Sequence, residues 1–224
     1  MSASAQLRTG LDAVTNDRVP LREHVARIER LAEEAPHRIE ALPTSLRAGF
    51  NCFAYAFDLF DQADYVRIAI AEQRAGGNTF FANSRFAEYL VSIGAVHPIC
   101  RRDLEAGDIA LYGNRTQPRH AARITGGDRL VSKWGLGHLY RHGLWEVPAR
   151  YGHTVRFVRP TRSSGYLPEF HAYLEATPEW PAFAAHHFPE PHRTQTVRGA
   201  PVHNVVGQGP NKRQYVTRKW ETPR

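Results

Sequence analysis

Around Cys100 the chain changes its hydrophobic period, and that change restricts the fold more than any other feature of the sequence. Before it, apolar residues recur at helical spacing. After it come short runs of β type: Asp108 to Tyr112, His120 to Ile124, Arg129 to Trp134 and Thr154 to Pro160. Gly, Asn or Pro punctuates the gaps between them. Helices first and strands afterwards predict an α+β domain whose N-terminal helices pack on a small antiparallel β-sheet.

The helical half can be read in pieces. Pro20 opens a pattern with Leu21, Val25, Ile28 and Leu31 on one stripe, which predicts a surface helix. The run from Asn51 through Phe60 is almost wholly apolar apart from Asp58, so that helix is predicted to be central. Ile68 to Glu72 and Ser84 to Ile93 read as further helices, the second stopped by Gly94, and Leu167 to Ala176 as a later one. The expected organisation is a flexible N-terminal arm over 1–18, one domain over 19–180, and a basic extension with Pro and Gly over 181–224.

Composition narrows the class. A 224-residue chain with 42% hydrophobic and 23% charged residues can bury one substantial core, which excludes a disordered polypeptide. No run of about 20 apolar residues and no apolar leader segment is present, so the expectation is a cytoplasmic protein, with delivery by a specialised secretion system left open. Two cysteines are too few for a disulfide framework or a four-thiolate metal site. Neither cofactor nor metal is expected. Seven Lys or Arg stand against one Glu between Arg193 and Arg224. That stretch is either a solvated tail or an arm for an anionic partner such as nucleic acid.

A thiol nucleophile needs a base brought from elsewhere in the chain. Asn51 is a good N-cap and would place Cys52 in the first turn of the apolar helix, where unpaired N–H groups favour a thiolate with a pKa below about 8.5. His120 opens a β run and is the expected base. A third group should hold the imidazole. With a two-residue turn at Gly126-Gly127, Lys133 faces His120; with three residues the partner is Ser132 or Trp134. Asn51 or Tyr55 would assist the backbone in holding an oxyanion, although Asn51 reads more simply as a cap. Asp108 reads as a turn residue and Cys100 as structural.

In this order, Asn51-Cys52, Gly107-Asp108-Ile109-Ala110-Leu111-Tyr112, His120 and Ser132-Lys133 resemble the papain-like superfamily of compact cysteine peptidases and amidases, in the NlpC and CHAP style. The resemblance covers about residues 45 to 160. It is closer still to uncharacterised bacterial domains bearing N-C-x-x-Y-A, H-A-A-R and S-K-x-G. It implies a papain-like fold and a thiol-dependent hydrolase or transferase acting on an amide bond: a peptidase, an amidase or a glutamine deamidase. Its substrate would be a peptide, a protein or a peptidoglycan stem peptide. Two departures stand out. NlpC-type enzymes usually carry Asp-Cys-Ser where this chain has Asn51-Cys52-Phe53, and their third residue is not a lysine. The competing expectation is a catalytically inactive binding module on the same fold, docking a protein or nucleic-acid partner.

Overall fold

The structure, a computed structural model, describes residues 3–16, 18–42, 50–135, 137–162 and 165–189. The basic run from Arg193 to Arg224 lies outside them. One compact unit spans Met1–Phe188; the second unit, Pro189–Arg224, is described only at its first residue.

Among the described residues, seven strands form one sheet: β1 (Glu40–Leu42), β2 (Val96–Ile99), β3 (Ile109–Gly113), β4 (Pro118–Gly126), β5 (Arg129–Lys133), β6 (Leu139–Gly143) and β7 (Thr154–Pro160). Their spatial order is β1-β6-β5-β4-β3-β7-β2, and every neighbouring pair is antiparallel. The helices are α1 (Ala3–Val14), α2 (Leu21–Glu34), α3 (Cys52–Ala56), α4 (Ala63–Arg74), α5 (Ser84–Ser92), α6 (Leu167–Glu175) and α7 (Trp180–His187). The α+β class with an antiparallel sheet is therefore as the sequence pattern predicts.

Because side chains alternate along a strand, the sheet divides the core in two. Ile109, Leu111, Ala121 and Val158 face the core built by α3, α4, α5 and α6. Ala110, Tyr112, Ala122, Ile124, Leu130 and Trp134 face the other way, where Leu7 and Leu11 of α1 and Ile28 of α2 cover them. This positions the site: a residue one place along β4 belongs to a different core.

Three expectations need correction. The N-terminal stretch is no flexible arm over the described residues. It forms α1, and Leu11 is fully buried because its Leu7–Leu11 stripe closes the second core. Arg8 Nε donates to Val147 O at 3.1 Å and Arg150 Nη1 to Asp12 Oδ1 at 2.9 Å, tying α1 to the turn Ala149–Tyr151. The helix expected from Asn51 to Phe60 ends at Ala56, because Asp58 takes φ 51° and redirects the chain. The domain does not stop at residue 180 either. In α7, Trp180 and Phe183 pack on Phe80 with ring centres 5.4 and 4.4 Å away.

Local signals worked where the stop was steric. Gly94 has φ 72°, and Ala95 N–H reaches Leu90 O at 2.9 Å, so α5 closes with a six-to-one bond. The segment after α4 depends instead on one buried carboxylate. Glu72 Oε1 accepts the N–H groups of Thr79 and Phe80, and a Cβ at Gly77 would stand 2.5 Å from that oxygen. Glu72→Ala is expected to cost about 2–3 kcal/mol by stranding these donors, and Glu72→Gln less. Urea unfolding of both variants measures it, and equal, negligible losses would refute the assignment.

Candidate active site

Asn51 caps α3. Its Oδ1 accepts the Ala54 N–H at 2.9 Å, and its Nδ2 donates to Ala82 O at 2.8 Å. The oxygen and one amide N–H are in use, so the side chain anchors the head of α3. Tyr55 lies one turn on, where Arg123 and Asp58 bear on its hydroxyl.

Cys52 is the first residue of α3 and is half-buried against the helix-side core. Desolvation of its sulfur pushes the thiol up to about 11, against the pull of the Ala121, Phe53 and Cys52 backbone N–H groups and of the Lys133 charge. The expected low pKa is thus overturned. A five-residue helix aligns few peptide dipoles, and burial outweighs them.

Lys133 ends β5 and is 3% exposed. Its Nζ donates to Gly137 O at 2.6 Å and stands 4.6 Å from the centre of the Phe50 ring. Burial lowers its pKa, and the charge of Cys52 raises it. The two groups therefore feel one another: α3 packs over β4 and β5, and Lys133 shares the Ala121 side of the sheet.

His120 is elsewhere. Tyr112 pairs with His120 and Leu111 with Ala121, so alternation sends the imidazole to the α1–α2 side. There its ring stacks on Tyr151, centres 3.8 Å apart and planes within 6°. It is fully buried and neither ring nitrogen has a hydrogen-bond partner, so no bond joins it to Cys52. Burial holds its pKa well below the ordinary histidine value, and His142 and Arg150 push the same way.

Nor does Ser132 hold His120. It is fully buried, with Oγ 2.8 Å from His142 Nε2, and accepts the Trp134 Nε1–H at 3.0 Å. His142 Nδ1 lies 2.8 Å from Gly143 O. A carbonyl can only accept, so Nδ1 carries the proton and Nε2 accepts from Ser132. In register, Arg123 faces Val131 and Ile124 faces Leu130, which continues to Trp134 opposite His120. Carried along the strands, that register puts neither Lys133 nor Ser132 opposite His120.

Sequence reasoning missed His142, Tyr65 and Tyr151. Burial raises the pKa of both phenols, and the charge of Cys52 acts on each in the same sense. Tyr65 comes from α4 and Tyr151 from the turn after Pro148, and nothing in their local sequence marks them. Asp108, expected as a turn residue, is that and more: its Oδ2 accepts the Glu105 N–H at 2.7 Å, and both oxygens hold Arg159. Among the described residues, no group of three or more His, Cys, Asp or Glu side chains is disposed to hold a metal ion, and no helix is long and apolar enough to cross a membrane.

Fold and site together describe an α+β protein with a desolvated thiol at the head of a helix that lies on an antiparallel sheet. Residues 44–159, just over half of the chain, match the sequence model of DUF7689, a domain of unknown function, and the chain belongs to that family. No curated protein and no solved structure matches it.

Proposed function

We propose that the protein is a thiol-dependent hydrolase or transferase of amide bonds, with Cys52 as nucleophile and Lys133, rather than His120, as its proton partner. The observation that carries this reading is the placement of Lys133 on the side of the sheet that α3 covers, while His120 stacks on Tyr151 of the other core. Burial works on the two groups in opposite senses. It raises the thiol to about 11 and lowers the ammonium, so each group favours its neutral form, a thiol beside an amine.

In the proposed reaction the neutral amine of Lys133 takes the Cys52 proton as sulfur adds to the carbonyl carbon. The backbone N–H groups of Cys52, Phe53 and Ala121 are the donors at hand for the oxyanion. The C–N bond breaks as the ammonium returns the proton to the leaving nitrogen, and water or an amine then resolves the thioester. A papain-like scaffold agrees with a thiol-headed helix on an antiparallel sheet; the placement of His120 departs from it. Peptides, proteins and peptidoglycan stem peptides remain the substrate classes for this chemistry.

The test is the pH profile of Cys52 alkylation by iodoacetamide, followed by mass spectrometry in a Cys100→Ser background. Alkylation is expected to be slow at pH 7 and to rise about tenfold per pH unit toward pH 11, since the thiolate is the reacting species. Lys133→Met should move the profile to higher pH, Lys133→Arg, which keeps the charge but cannot take a proton, should restore the profile and no amide-bond turnover, and His120→Gln should leave it in place. Identical profiles for wild type and Lys133→Met would remove the pairing. A Cys52 that stays inert at every pH at which the protein is folded would favour the non-catalytic binding module.

A further inference from the structure

Beyond Arg123, two residues along β4 from Ala121, a cavity of about 450 Å³ is lined by Gly107, Asp108, Arg123, Arg159, Thr161 and Arg162. From its geometry we infer a binding site for a small phosphate-bearing anion, a site separate from the thiol chemistry.

Three arginines line one cavity, and each is held by a carboxylate. Asp108, 2% exposed, takes Arg159 in a two-pronged bond, Nε to Oδ1 at 2.9 Å and Nη2 to Oδ2 at 3.0 Å. Asp58 holds Arg123 Nη1, and Glu169 holds Arg162 Nη2. Neither Asp58 nor Glu169 lines the cavity, so their bonds orient the arginines without filling the space in front of them. Among the described residues, Arg123 spends one nitrogen on Asp58 and Arg162 one on Glu169. The remaining N–H edges are free to bind.

The carboxylates that do line the cavity offer weak competition. Asp108 has both oxygens engaged by Arg159 and the Glu105 N–H. Glu105, 3.4 Å from Arg159, has a side chain 70% exposed and can swing into solvent. Gly107, at φ 98°, adds no side chain to the wall. Arg159 is largely spent, its Nη2 donating also to Asp103 O at 2.5 Å, but the open N–H edges of Arg123 and Arg162 suit a group with several equivalent oxygens. The volume falls within the range of small-molecule sites.

The experiment titrates the full ¹⁵N-labelled chain with sodium pyrophosphate at constant ionic strength, with sodium acetate in parallel. Saturable perturbation of the Gly107, Asp108 and Thr161 amides is expected, and an affinity at least about tenfold weaker in the Arg123→Gln, Arg162→Gln double variant. Arg27→Gln, which removes the ion pair with Glu23 on α2, should bind as the wild type does. Scattered, non-saturating shifts, equal binding of acetate, or undiminished binding by the double variant would each overturn the site. Should the double variant fail to fold, the wild-type amide map decides alone. Cys52 alkylation is unaffected by any of these results, so this site and the thiol reading fail separately.

Discussion

Lowering the pH from 6.5 to 4.5 is expected to remove roughly 2–3 kcal/mol of unfolding free energy through His142 alone. Burial holds its folded pKa at about 4; the Glu146 and Gly143 contacts raise it somewhat and Arg129 lowers it. The unfolded chain binds a proton near pH 6.5, and the folded chain does not bind it until about pH 4. Between those values the unfolded state carries more protons, so stability is complete above pH 6.5 and declines as the pH falls, by about 1.4 kcal/mol per unit for each such group. His120, buried and neutral for the same reason, adds a loss of the same sign. Ser132 sharpens the effect, because its hydroxyl donates into the Nε2 lone pair that a second proton would occupy. Urea unfolding at pH 6.5, 5.5 and 4.5 reads the slope. A flat profile, or one that His142→Gln leaves just as steep, would contradict it.

Trp134→Ala is expected to cost about 3–5 kcal/mol, which for a chain of this length lowers Tm by roughly 10 °C. The indole is 1% exposed and stacks on Tyr140 with ring centres 4.3 Å apart. Its Nε1–H also completes the polar chain from Trp134 through Ser132 and His142 to Gly143. Removing it opens a cavity and strips a donor from a buried hydroxyl at once. Trp134→Phe keeps most of the apolar surface and should cost only about 1–2 kcal/mol. Thermal unfolding by calorimetry separates the two variants. Equal losses would mean that the hydrogen bond, and not the packing, dominates.

Both predictions rest on a network that the linear chain conceals. Ser132 and His142 are ten positions apart on neighbouring strands, and their hydrogen bond exists because Ser132 pairs with Tyr140 and Leu130 with His142 across β5 and β6. The serine was legible as a polar residue near the site, but its partner was not. The tie between α1 and the turn that carries Tyr151 was equally hidden, since Arg8 and Val147 are 139 positions apart.

What the sequence determined by itself is local. Hydrophobic period separated helices from strands, Asn51 marked the start of α3, Gly94 marked the end of α5, and two successive glycines marked the β4–β5 turn. Each of these is decided by backbone sterics or by hydrogen bonds within a few residues. Which core a side chain enters was left to tertiary structure, because a strand has a period of two and a slip of one residue reverses every face. That is why Lys133 and the Ala121 N–H lie on the Cys52 side of the sheet while His120, next to Ala121 in β4, stacks on Tyr151 of the other core. Burial then set the charge states: the same head-of-helix position that favours a thiolate in water holds a protonated thiol where the sulfur packs against the helix-side core.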